Sequence, residues 1–214
     1  MPANKLPEPV SVPKKLKASF YQKPTEDLAK SLLGKRLVRI WRGRRHSGII
    51  VETEAYLGPR DPACHTWKNR RTDRVSAMYL PGGHSYVYMI YGMHYCFNVV
   101  AEGDGEAVLI RALAPEAGQI LERADGPGRL CRALKITKAQ NGCSLSGETI
   151  FIEQSGRSPA NEEIGAAPRI GVEYAGEAAL WPLRFYWRGN PHVSRKELGW
   201  KTKSPRTKPF GLTT

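Results

Sequence analysis

Apolar and polar positions alternate in twos along much of this chain, which predicts strands joined by tight turns. RLVRIWRGRRHSGIIVETEAY reads as two strands meeting near Gly43–Arg45, with Val38, Ile40 and Trp41 helping to bury the first. The second begins at Gly48, and the two-residue period puts Glu52 and Glu54 on one side and Thr53 and Ala55 on the other. Residues 86–98, YVYMIYGMHYCFN, read as a hairpin. Its expected turn is of type II′ with Gly92–Met93 at the centre and Tyr91 and His94 on its flanks. AEGDGE is a further tight turn, and AVLIRALAP is a strand expected to be buried except at Arg111. TIFIEQ and LRFYWRG supply two more strands.

Helical patterning is sparser. Thr25 is placed to cap a helix whose first turn holds Glu26 and Asp27, where the helix dipole favours acids, and Gly34 suits its end. Residues 114–124 and 128–136 read as helices separated by Gly126-Pro127-Gly128, and DPACHTW as the start of a short helix at Asp61. Residues 155–182 read as irregular. The chain shows no internal repeats and no heptads.

Strands linked by hairpins argue for a mixed α+β fold with an antiparallel or mixed sheet, and against a doubly wound parallel one. A length of 214 residues suits a single compact domain with a real core. Residues 25–194 are expected to form it. Residues 1–24, with five prolines and five lysines against one glutamate, read as a flexible basic arm. Residues 195–214 read as a basic C-terminal tail.

Charge narrows the partner. Thirty-three Lys and Arg stand against 20 Asp and Glu, a formal net charge of +13, which favours a polyanion, most simply nucleic acid. No apolar run approaches the roughly 20 residues that cross a bilayer, and no basic amphipathic helix points to a membrane surface. The N-terminus has prolines and lysines where a signal peptide needs an apolar stretch, so a cytoplasmic protein is expected. Cys64, Cys96, Cys131 and Cys143 form no CxxC pair. They suggest neither a zinc ribbon nor a disulfide framework, and Cys96 and Cys131 read as buried thiols.

Several residues carry potential chemistry. Glu54, near a strand end and before the Gly58–Pro59 turn, is the best candidate acid or base, with Glu52 its rival by alternation. The same pair also reads as two solvent-facing carboxylates with local salt links. Tyr56, His65 and Tyr88 offer flat walls on which a base can stack. Asn98 suits hydrogen bonding to a ligand edge or to a turn. Arg111 sits in VLIRAL and needs a partner, for which Glu54 or a phosphate qualifies. Large side chains at a narrow hairpin tip, Tyr91 and Met93, suit insertion into a base stack, or packing against a neighbouring loop. Signatures of zinc peptidases, zinc deaminases and serine hydrolases are missing. A lysine Schiff-base mechanism stays open.

The stretches VETEAYLGPRDPACH, YVYMIYGMHYCFNVV, EAVLIRALAP, GPGRLCRAL and PRIGVEYAGEAALWPLRFYWRGNPHVS resemble those of the alkyladenine (3-methyladenine, methylpurine) DNA glycosylases, and the chain looks like a bacterial member. The likeness spans roughly residues 26–194. It implies a mixed α/β domain with a curved antiparallel sheet and a protruding hairpin. It implies duplex DNA carrying damaged purines as partner, base flipping, and hydrolysis of the N-glycosidic bond by water without metal or cofactor. By motif position it implies Glu54 as general base, Arg111 as holder of the water and a nearby phosphate, and Tyr56, His65 and Tyr88 as pocket walls. It implies Asn98 as the residue limiting which purines fit, and Tyr91 as the intercalating residue with Met93 beside it. Two departures fall at the expected pocket rim. Thr72-Asp73-Arg74-Val75 replaces a Thr-Pro-Arg-Asn pattern, and Cys64 stands where serine or alanine is common; both bear on lesion preference. A monomer is expected, because access to one flipped base needs no symmetry partner. A non-catalytic nucleic-acid binder on the same scaffold is the alternative.

Overall fold

The computed structural model describes residues 14–116 and 122–194. In chain order these form α1 (Thr25–Leu32), β1 (Arg36–Trp41), β2 (Arg44–Tyr56), β3 (Ser85–Ile90), β4 (His94–Val100), β5 (Ala107–Ala114), α2 (Pro127–Ala133), β6 (Ile150–Glu153), β7 (Ile164–Ala167) and β8 (Arg184–Trp187). The strands make one antiparallel sheet in the order β3-β4-β5-β2-β1-β6, with β8 joining β2 and β7 joining β8. The expected α+β class, large antiparallel sheet and surrounding helices are what the chain adopts.

β2 is the spine. One edge pairs with β5 along its second half, and the other pairs first with β1 and then with β8. Its alternation sorts residues between two faces. Ala55, Phe97, Val99, Val108 and Ile110 face the main core, where α1 adds Leu28 and Leu32 and α2 adds Leu130 and Cys131. Tyr56, Tyr86, Tyr88, Val100 and Ala107 gather on the opposite face under Val75, Ala77 and Met78.

The ladder between β2 and β5 is irregular at one place. Ile50 pairs with Leu113, Glu52 with Ala112 and Thr53 with Ile110, so Val51 and Arg111 have no cross-strand partner in it. Ile50 and Ala55 both face the core, as do Leu113 and Ile110. These odd spacings mean one extra residue in each strand, a bulge facing a bulge. Simple alternation therefore fails at Glu52 and Arg111.

Several expectations need correction. Thr25 is the first helical residue and not the cap; Pro24 precedes it, and the Thr25 hydroxyl donates to Glu106. The Asp61 helix is absent, because the Asp61 carboxylate accepts from the Leu57 and Ala63 amides and folds the segment into turns. The predicted helix over 114–124 is not formed at its described ends. Ala114 closes β5, residues 122–124 have no regular secondary structure, and the Leu113 amide donates to the Ala124 carbonyl. Residues 117–121 lie outside the described residues. The 155–182 segment contains β7 and a 3-10 stretch at Glu173–Leu180. Of the expected arm, residues 1–13 lie outside the described residues, as does the tail 195–214. Lys14–Pro24 is packed: Lys15 bridges to Glu153, and Leu16 and Tyr21 are buried in the core.

Candidate active site

Period-two alternation and the register between strands build the floor. Tyr86 pairs with Asn98, Asn98 with Leu109, Leu109 with Glu54 and Glu54 with Arg184. Residues from β3, β4, β5, β2 and β8 thus lie in one row across the sheet, neighbours about 5 Å apart. Above the Tyr86, Asn98 and Leu109 part of the row lies a cavity of about 660 Å³; Glu54 and Arg184, further along the row, do not line it. It is lined by Tyr56, His65, Tyr88, Asn98 and Arg111, with Tyr91 at its mouth. A cavity of this size accommodates a purine nucleoside.

Glu54 is fully buried, and its carboxylate holds three donors. The Ile170 amide donates to Oε1 at 2.8 Å, Arg111 Nη1 stands 3.2 Å from the same oxygen, and the Tyr56 hydroxyl donates to Oε2 at 2.9 Å. All three donor residues line the cavity. Burying a carboxylate is costly unless it is paired and hydrogen-bonded, and here it is both. The reading of Glu52 and Glu54 as solvent-facing is wrong: both are fully buried. Glu52 is spent elsewhere, bonded to Arg184 Nη1 at 2.9 Å and the Ser194 amide at 2.7 Å. Arg111 Nε also lies 3.4 Å from Glu52 Oε1. The expected partnership of Arg111 with Glu54 holds, with Glu52 as a second carboxylate, and Arg111 is itself buried. Burial opposes its charge, but the two carboxylates outweigh that and hold it above the ordinary guanidinium value.

Aromatic rings form the walls. Tyr86 and Tyr88 stack with centroids 5.3 Å apart, and His65 meets Tyr88 edge-on at 4.6 Å. His65 Nδ1 lies 2.9 Å from the Tyr86 hydroxyl. Burial, reinforced by Arg74 and Arg70, lowers the His65 pKa to about 4, so the imidazole is neutral near pH 7. Burial also drives the Tyr56 and Tyr88 phenols well above their usual range, with the Glu54 carboxylate adding to it, so both stay protonated. Asn98 donates through Nδ2 to the Tyr86 carbonyl at 3.0 Å, which fixes its side chain in the floor. Cys96 shares the floor, its thiol pushed up to about 11 by burial, and Cys64 is buried beside Thr66. Among the described residues no three of His, Cys, Asp or Glu converge as metal ligands.

The hairpin tip differs from expectation. Ile90 pairs with His94, which leaves Tyr91, Gly92 and Met93 in the loop. The Met93 amide donates to the Ile90 carbonyl at 3.2 Å, and Tyr91 and Gly92 both take positive φ, at 51° and 67°. Positive φ at both central positions is a type I′ turn on Tyr91–Gly92. Tyrosine in that conformation is strained by on the order of 1 kcal/mol. Tyr91 is 85% exposed and Met93 70%. Neither packs against a neighbouring loop, the other reading of the tip.

Three site residues escaped the sequence reading. Tyr86 was within reach, since it shares strand parity with Tyr88. Tyr174, whose hydroxyl donates to the Ala63 carbonyl at 3.1 Å, gave no sequence signal, whereas Arg74 lies at the rim where the 72–75 departure was expected. Arg169 is fully buried and paired with Asp61.

The sequence model of the methylpurine-DNA glycosylase family matches residues 19–191. Proteins of Bacillus cereus (strain G9842) and Bacillus anthracis (strain A0248), provisionally described as 3-methyladenine DNA glycosylases, are each 45% identical to this chain over 200 residues. Those alignments cover 83% of this chain and 98% of each relative. The chain belongs to the methylpurine-DNA glycosylase family, and its general function is that of a DNA-repair glycosylase acting on DNA.

Proposed function

We propose that this protein is a monofunctional glycosylase that draws an alkylated or deaminated purine nucleotide out of duplex DNA, hydrolyses its N-glycosidic bond and leaves an abasic site. The observation that carries the reading is Glu54: a buried carboxylate held by three donors beneath an aromatic cavity, with an exposed tyrosine on a rigid hairpin at the mouth.

Tyr91 enters the space the nucleotide leaves, offsetting part of the few kcal/mol that flipping costs. The base stacks between Tyr56, His65 and Tyr88, and Asn98 limits the shapes that fit. Water attacks C1′ as the bond to the base nitrogen breaks, and the bonding electrons leave with the base. Glu54 takes the proton from water, and its charge stabilises the positive character that builds on the sugar. Arg111 orients Glu54 and the water. A base alkylated at N3 or N7 is already cationic and leaves readily; a neutral base such as hypoxanthine needs a proton, supplied from water. Basic surface adds salt-dependent affinity without reading sequence. The enzyme acts as a cytoplasmic monomer.

Duplexes carrying one hypoxanthine, ethenoadenine or 3-methyladenine test this, with alkali converting each abasic site into a strand break. Glu54→Gln is expected to slow single-turnover excision by about a thousandfold while leaving DNA binding within about threefold. A near-parental rate removes Glu54 from the base role. Binding without excision of any lesion by the parent would establish the non-catalytic alternative.

A further inference from the structure

We infer that Asp61 and Arg169 form a positioning pair that aims the donors of Glu54, an inference that rests on the hydrolytic role proposed for that carboxylate. Both side chains are completely buried. Arg169 Nη2 donates to Asp61 Oδ1 at 2.9 Å, and Nη1 donates to Asp61 Oδ2, closing a two-pronged bridge. The same guanidinium donates to the Ala55 carbonyl at 3.1 Å and the Ala178 carbonyl at 3.2 Å. Asp61 in turn accepts from the Leu57 amide at 3.1 Å and the Ala63 amide at 2.9 Å. One ion pair therefore ties together the end of β2, the turns that carry His65 and the segment that carries Ile170.

Two of the three donors to Glu54 hang on this pair. Ile170, whose amide reaches Glu54 Oε1, follows Arg169 directly in the chain. Tyr56, whose hydroxyl reaches Oε2, follows Ala55, whose carbonyl Arg169 holds. The Arg169 guanidinium also lies over the Tyr56 ring, 4.8 Å from its centroid. On the far side of Arg169, the Pro168 carbonyl accepts from Arg184 Nε at 3.1 Å, so the segment is pinned before and after the arginine.

A buried ion pair is a poor source of stability, since desolvating two charges cancels much of their attraction, and apolar replacements often fold as well. Its two-pronged geometry does fix orientation. Here that orientation is delivered to the backbone amide and phenol that hold the catalytic carboxylate, where small displacements are expensive in rate.

The test separates fold from aim. Asp61→Asn combined with Arg169→Met removes both charges, and the carboxamide introduced by the first change keeps an oxygen for one of the two turn amides. Three quantities are measured: the thermal midpoint, the affinity for a duplex carrying an uncleavable abasic analogue, and the single-turnover rate on a hypoxanthine duplex. A positioning pair predicts a midpoint within a few degrees of the parent, affinity within about twofold, and excision slower by about ten- to a hundredfold. A rate within twofold of the parent overturns the inference. If the double variant does not fold, Arg169→Lys carries the test, because it keeps the charge and loses the two-pronged geometry. The same split between affinity and rate supports the inference, and an unchanged rate overturns it. Loss of the underlying reading looks different: Glu54→Gln would then excise as fast as the parent, or the parent would excise nothing.

Discussion

His65 opposes protonation for two reasons, and both can be weighed. Burial strips water from the imidazolium, and the Arg74 and Arg70 guanidinium groups add like charge, bringing the ring from 6.5 to about 4. In the unfolded chain the ring titrates near 6.5. Between these values the unfolded chain binds a proton that the native state declines, so stability rises with pH across that window and is lost as pH falls through it. The full difference is worth about 3 kcal/mol, and about 2 kcal/mol of it disappears between pH 7 and pH 5. Urea unfolding of the parent and of His65→Gln at those two pH values isolates the effect. Glutamine does not titrate and still offers a polar group to the Tyr86 hydroxyl. The parent should lose about 2 kcal/mol more than the variant on acidification. Equal losses, or an imidazole NMR titration centred at or above pH 6, would refute the argument. In the proposed mechanism, a neutral ring is what would let His65 stack on a cationic alkylated purine without repelling it.

Two further substitutions probe other parts of the molecule. Tyr91→Ala should weaken binding to a lesion duplex by about tenfold and to an undamaged duplex by less than twofold, read by fluorescence anisotropy, since one stacked ring is worth about 1 to 3 kcal/mol; equal loss on both duplexes would count against insertion. Gly165→Ala places a Cβ 2.3 Å from Cζ of the Tyr186 ring, which covers that glycine from the neighbouring strand, and should cost about 1 to 3 kcal/mol in chemical denaturation.

That glycine shows where the sequence stopped being legible. β1 to β4 announced themselves through alternation and β5 through a nearly continuous apolar run; the structure forms the expected β1–β2 and β3–β4 hairpins, whereas the β2–β5 pairing had no turn to announce it. β7 is Ile164-Gly165-Ala166-Ala167, too small in side chains to show a period, and it holds because it pairs with β8 and because Tyr186 supplies the bulk. The turns around Asp61 misled for the opposite reason. Aspartate before a short apolar run is a helix-start signal, but here its oxygens serve local amides and an arginine 108 positions away. The hairpin tip was located correctly and its turn misassigned by one residue, since nothing local forbids Tyr91 from the left-handed region except strain that the pairing of Ile90 with His94 imposes.

The site was legible in its side chains and hidden in its backbone. An arginine inside VLIRAL needs a partner, for which Glu54 or a phosphate qualified, and Glu54 was marked out further by its place near a strand end. The Ile170 amide carries no such signature, because any residue but proline presents one. What brings the distant pieces together is register. Tyr86, Asn98, Leu109, Glu54 and Arg184 occupy one row, and slipping any strand by a single residue would turn its member of the row toward the core. The facing bulges at Val51 and Arg111 answer a conflict inside that requirement. Arg111 must swing out of the ladder to reach both carboxylates, yet a bulge in β5 alone would shift every pair beyond it and break the row. A matching extra residue in β2 restores the register: Ile50 with Leu113 on one side of the defect and Glu54 with Leu109 on the other follow the same pairing. The arginine gains its reach and the row keeps its alignment, so the irregularity at the centre of the sheet is the feature that lets a regular sheet hold the buried Glu54 carboxylate.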